Sequence, residues 1–250
     1  MRLPLIAGNW KMHGDQNFAE KLLDALSAGA HNIAAEVAVM PPFVHLSLAA
    51  NVLDGAQISY GAQDVSAHDE GAHTGEISSS MLLDIGCKYV IVGHSERRQH
   101  CFEASTLVAD KFAAAAKAGL RPILCIGENL TERESEQTEA VLAEQLAPVL
   151  ALPVEYWQEA VVAYEPVWAI GTGLSASPEM AQSAHSFIRS LVAEKFGEKL
   201  AKSLRILYGG SVKPVNAADL FAMPDIDGAL VGGAALTAES FLKIGELCKI

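Results

Sequence analysis

Eight short apolar runs recur along the chain with helix-forming stretches between them, and this alternation constrains the fold more than any other feature. The runs lie approximately at Leu3–Gly8, Glu36–Met40, Gln57–Gly61, Tyr89–Gly93, Pro122–Ile126, Val161–Tyr164, Arg205–Tyr208 and Ala229–Val231. Several are apolar at consecutive positions, as in Tyr89-Val90-Ile91-Val92 and Ile123-Leu124-Cys125-Ile126. A one-sided antiparallel sheet would alternate apolar with polar; strands buried on both faces under crossover helices do not.

The intervening stretches carry helix signals with a physical cause. Ser177 precedes Pro178, so the serine can cap free N–H groups while proline suits the first turn, and Met180, Ala184, Phe187, Ile188 and Leu191 then keep the spacing of one apolar face. Thr131 and Glu134 have capping-box spacing. Gly119, after Phe112 to Ala118, can take the left-handed conformation that ends a helix.

Periodicity alone leaves an open doubly wound sheet and a closed barrel both available, but no GxGxxG follows the first strand. The polar residues favour closure. Asn9 and Lys11, His94, Glu165, Ser211 and Gly232-Gly233 all follow carboxyl ends of predicted strands, which share one rim in a closed barrel. With 250 residues, half of them apolar, and no linker or low-complexity tract, the expectation is an α/β protein: one domain over residues 1–250, a closed (β/α)8 barrel with a parallel eight-stranded sheet ringed by helices.

A net charge of −12 argues against nucleic-acid or anionic-membrane partners, which require an electropositive face. Any anionic ligand must therefore be held locally. The N-terminal apolar run is too short for a signal peptide and no later run is long enough to span a bilayer, so a cytoplasmic location is expected. Cys87, Cys101, Cys125 and Cys248 show no CxxC spacing, and the eight histidines form no HExxH pattern; no metal is expected.

Four segments carry chemistry. In Tyr164 to Gly173, Glu165 ends a strand and an apolar, glycine-containing loop follows; closure of that loop would desolvate the carboxylate and raise its basicity. In Val92 to Arg98, His94 reaches a turn that opens a short helix, whose free N–H groups favour neutral imidazole. Asn9 and Lys11 place an amide and an ammonium at the same rim, suited to developing oxyanion charge. The paired glycines of Gly209-Gly210-Ser211 and Gly232-Gly233 let backbone N–H groups approach a phosphate after the last two strands.

Asn9-Trp10-Lys11, the run Gly93 to Arg98, Ala163 to Gly173, Tyr208 to Ser211 and Gly232-Gly233 together resemble the triosephosphate isomerase family, across essentially the whole chain. The resemblance implies a TIM barrel that interconverts dihydroxyacetone phosphate and glyceraldehyde 3-phosphate through an enediolate, in glycolysis and gluconeogenesis, without cofactor or metal. It gives Glu165 the carbon-bound proton, His94 the substrate oxygens, and Lys11 and Asn9 the negative charge, with Glu96 organising the polar network and Ser95 supporting it. Gly171, Ser211, Gly232 and Gly233 would hold phosphate, and Pro166 to Ala176 would close as a lid. It also implies a homodimer in which the loop Gln63 to Glu76 enters the partner, Thr74 supporting Lys11 of the partner subunit.

The chain departs from the family pattern at Asp64, where asparagine is frequent, at His73, where an aromatic is common, and at Leu174-Ser175 in the lid. Two other readings are another phosphosugar-processing barrel, such as an epimerase, and a non-catalytic scaffold. The His94 and Glu165 motifs weigh against the first, and the full set of chemical groups against the second.

Overall fold

The computed structural model describes residues 2–172 and 174–248. Its eight strands are β1 (Leu5–Asn9), β2 (Glu36–Met40), β3 (Ile58–Ala62), β4 (Tyr89–Val92), β5 (Arg121–Ile126), β6 (Val161–Tyr164), β7 (Arg205–Tyr208) and β8 (Gly228–Val231). They close into one barrel in sequence order, ringed by helices, with β1 paired to β8 from Leu5↔Gly228 onward and every pairing parallel. The open-sheet alternative is thereby excluded.

The strand bounds differ from expectation by small amounts with local causes. β1 begins at Leu5 because Pro4 has no N–H to give a ladder, and it continues through Asn9. β4 stops at Val92 because Gly93 turns into the left-handed region at φ 70°. β5 includes Arg121, whose N–H donates to the Lys88 carbonyl at 2.9 Å.

Burial explains the consecutive apolar positions. Leu5, Ala7, Tyr89, Ile91, Ile123, Cys125, Val161 and Ala163 belong to a core made only of strand residues, inside the barrel. Their neighbours Ile6, Val90, Val92, Leu124, Ile126 and Val162 belong to the larger core between strands and helices. Successive strand residues point to opposite faces, and both faces are dry.

Ser177 caps the helix Pro178–Phe196 by accepting from the Met180 N–H at 3.2 Å. Its buried face centres on Ala181, Ala184, His185, Ile188 and Val192, while Met180, Phe187 and Leu191 are only half-buried along its flanks. Small residues let the helix sit close to the barrel, so the bulkier ones pack beside that contact. Gly119, at φ 103°, ends the helix Ser105–Ala118 as expected. The capping box, however, is Asn129 with Glu132, and Thr131 lies inside the helix Leu130–Glu134. The two candidate pairs have the same spacing, but asparagine accepts from an N–H at least as well as threonine, and here it does so at 3.0 Å.

Candidate active site

Each parallel strand delivers its carboxyl end to the same rim, and a cavity of about 750 Å³ opens there. Asn9, Lys11, His94, Glu165, Gly171, Ser211, Gly232 and Gly233 all line it. Glu96 stands behind this wall, bonded to the Lys11 ammonium and 3.7 Å from His94 Nδ1. Every expected site residue is thus brought to one place; Gly173, within the lid segment, lies outside the described residues.

Glu165 is 2 % exposed and His94 6 %. His94 Nε2 is 3.0 Å from Glu165 Oε1, while the Ser95 N–H donates to Oε2 at 2.9 Å. On the other side of the ring, the Glu96 N–H donates to His94 Nδ1 at 3.2 Å. That bond requires an unprotonated Nδ1, since a second N–H there would face the first, so the neutral ring carries its proton on Nε2. The helix Ser95–His100 selects this tautomer of the neutral ring through its first free N–H groups.

Burial lowers the proton affinity of His94, but the adjoining Glu165 carboxylate outweighs it and leaves the imidazole above its ordinary pKa in this arrangement. Burial likewise pushes Glu165 up, yet its bonds to His94 and Ser95 and the nearby Lys11 charge hold it below the ordinary carboxylate value. The sequence-based expectation of a more basic carboxylate is therefore not met in this pose. Desolvation acts as expected; the hydrogen bonds oppose it, and turning the carboxylate away from them would free it to act.

Lys11 occupies the left-handed region at φ 52°, which costs a non-glycine residue roughly 1–2 kcal/mol. Two contacts hold it there: Asn9 Oδ1 accepts the Lys11 N–H at 2.9 Å, and Gln63 Nε2 donates to the Lys11 carbonyl at 2.8 Å while also contacting the Met40 carbonyl at 2.8 Å. With its oxygen so used, the Asn9 amide has its NH₂ group left for a ligand. Sequence reasoning named Gln63 only as the start of a loop; no local pattern ties a glutamine to a carbonyl fifty-two positions away.

Other supports were equally hidden. Glu128, fully buried, accepts from Tyr164 OH at 3.0 Å and Trp168 Nε1 at 2.9 Å, anchoring the start of the loop after β6, and Ala176 N–H donates to Tyr208 OH at 3.2 Å at its far end. Arg98 ties the His94 turn to its neighbour by donating to the Gly93 and Cys125 carbonyls at 2.8 and 3.2 Å. Asp64 receives the Lys111 ammonium on both oxygens at 2.8 Å and Arg97 at 2.8 Å, a charged network that asparagine could not form. His73 stacks on His68 with ring centroids 3.9 Å apart.

Gly209 and Gly210 also line the cavity. A β-carbon on Gly209 would come within 2.9 Å of Glu165 Cγ, so this glycine makes room for the carboxylate as well as for a ligand. Gly171, Gly209, Gly210, Gly232 and Gly233 together give the cavity a lining without side chains, which reaches the short helical turn Gly233–Leu236.

A closed barrel with such a pocket at its carboxyl rim places the chain among the (β/α)8-barrel enzymes. The profile of the family described as Triosephosphate isomerase matches residues 4–248. Proteins named Triosephosphate isomerase from Xanthomonas oryzae pv. oryzae (strain PXO99A) and Stenotrophomonas maltophilia (strain K279a) are 54 % and 53 % identical over 247 residues, covering 98 % of each chain. One from Dechloromonas aromatica (strain RCB) is 54 % identical over 245 residues, again 98 % of both. The chain belongs to the triosephosphate isomerase family.

Proposed function

We propose that the enzyme interconverts dihydroxyacetone phosphate and D-glyceraldehyde 3-phosphate by proton transfer through an enediolate, serving glycolysis and gluconeogenesis. The observation that carries this reading is the meeting of Glu165 and His94 at 3.0 Å in one cavity that also holds Lys11 and a glycine-lined wall. Glu165 removes a proton from one substrate carbon and returns it to the next. His94 donates its Nε2 proton to the substrate oxygens, and Lys11 and Asn9 stabilise the charge that develops on them. Glu96 positions Lys11.

Backbone N–H groups of Gly171, Ser211, Gly232 and Gly233 hold the phosphate. Closure of the segment 166–176 excludes water, so that the enediolate reprotonates instead of expelling phosphate. None of these steps calls for a cofactor or metal.

The whole chain acts as one domain and pairs with a second copy through the loop Gln63 to Glu76. Supporting this, Met12, Phe43, Val44, Met81 and Phe102 are exposed apolar residues in segments that follow β1 to β4, four strands adjacent in the barrel. An apolar face on that sector fits burial against another copy. The cytoplasm is the proposed location.

The direct test supplies glyceraldehyde 3-phosphate to purified protein in the presence of a chelator and follows dihydroxyacetone phosphate with a coupling dehydrogenase. Rapid conversion is expected; none would end the assignment.

A further inference from the structure

The opposite, amino-terminal rim of the barrel gathers cations in a chain whose overall charge is −12. Glu36, Tyr89, Arg121 and Arg205 each begin a strand, so the parallel barrel sets them on that one rim. Lys88, Arg121 and Arg205 all lie within 5.6 to 5.9 Å of the Tyr89 ring centroid. The same three share one carboxylate: Glu36 is 2.5 Å from Lys88, 2.7 Å from Arg205 and 4.0 Å from Arg121. Burial works to raise Glu36, but the bonds from Lys88 and Arg205 outweigh it and hold its carboxyl at about 2.

A cavity of about 480 Å³ opens at this rim, lined by Arg2, Arg121, Lys199, Lys202 and Arg205 against Glu36 and Glu159. When Lys88 and the ion-pair partners Asp227 and Glu198 are included, six cations meet four carboxylates. Two of those carboxylates are weak occupants. Glu159, 2.8 Å from Arg121, is 64 % exposed, and the Lys202–Glu198 pair is 72 % exposed at both ends, so both are readily displaced. Lys199 has no ion-pair partner among the described residues.

We infer that this basal cavity is a second, non-catalytic binding site for a small multiply charged phosphoanion, held between Arg121 and the Lys199–Lys202 helix with Arg205 beneath. The Arg205 guanidinium, held by the half-buried Glu36 carboxylate, presents preorganised donors, and oxyanions of a diphosphate match both the geometry of guanidinium groups and the positive surplus. The displaced Glu159 turns to solvent. The site stands apart from the carboxyl rim, and its fate does not depend on the isomerase assignment.

Inorganic pyrophosphate is the probe, titrated by calorimetry at physiological ionic strength into wild type and Arg121→Ser/Lys202→Ser, with its inhibition constant against turnover measured in parallel. The expected result is saturable binding that weakens about tenfold or more in the double variant while the inhibition constant is unchanged. Equal affinity in both proteins, an affinity that tracks the inhibition constant, or absence of saturable binding overturns the proposal. Should the double variant fail to fold, Lys199→Ser/Lys202→Ser, which touches no buried ion pair, is expected to weaken binding about threefold, and no weakening there is equally decisive.

Discussion

Glu165 rests with one carboxylate oxygen 3.0 Å from His94 Nε2 and the other 2.9 Å from the Ser95 N–H. The carboxylate must leave these donors to reach a substrate carbon, and in leaving them it loses the interactions that hold its proton affinity down. Glu165→Asp shortens this reach by about 1 Å, and turnover is expected to fall roughly 10²-fold with KM little changed. Steady-state kinetics decide it; near-normal kcat would remove Glu165 from proton transfer.

Gly209 is required by its neighbour. A methyl group there would meet Glu165 Cγ at 2.9 Å, so Gly209→Ala should displace the carboxylate and lower kcat about tenfold or more while the barrel stays folded. A circular-dichroism melt beside the kinetic assay separates the two effects, and an unchanged kcat would contradict the packing argument.

Gly233 has open space where a β-carbon would stand, and it lines the cavity. Gly233→Ala is therefore expected to leave the melting temperature unchanged and to raise KM about tenfold by crowding the phosphate. An unaltered KM would place the phosphate elsewhere.

Two groups, His185 buried and Glu36 half-buried, predict how stability depends on pH. His185 is pushed down to about 4 by burial, so the native state resists the proton that an unfolded histidine takes up near 6.5; stability falls as pH drops from about 6.5 to 4. Glu36 is held at about 2, so its contribution is present above about 4.5 and is lost as pH falls towards 2. The His185 loss is on the order of 3 kcal/mol, and that of Glu36, partly screened by solvent, is smaller. Urea unfolding across pH 7 to 3 should lose its upper phase in His185→Gln and its lower phase in Glu36→Gln, and identical profiles would refute both assignments.

Phe102, 86 % exposed, tests the proposed pairing of two copies. Phe102→Asp puts a charge on the apolar sector and is expected to shift sedimentation from dimer to monomer and to lower activity at dilute protein. A monomeric wild type would dismiss the arrangement.

The rim residues were legible because most stand at or just beyond the end of a short, mainly apolar strand, and a parallel barrel sends all such ends the same way. His94 illustrates this: its position after β4 and before a helix foretells its location, whereas the Glu165 carboxylate that raises its pKa arrives from a segment seventy positions away. The supports of the site were not legible. Gln63 reaches back fifty-two positions to the Lys11 carbonyl, and Glu128 meets Trp168 forty positions later; such contacts leave no periodic trace. The Asn129 cap shows the limit of local motifs, since two overlapping pairs satisfied the same spacing.

By itself the sequence determined what short-range chemistry dictates: which runs are strands, where helices start and stop, and which side chains stand at strand ends. Only the tertiary structure decided the protonation balance of Glu165 and His94, because a pKa depends on burial and on every charge within a few ångströms. It also decided which glycines are obligatory and how Arg121 and Arg205, from two separate strands, meet Lys88 around Glu36 at the far rim. These are properties of distances between segments remote in the chain, and distances exist only once the barrel has closed.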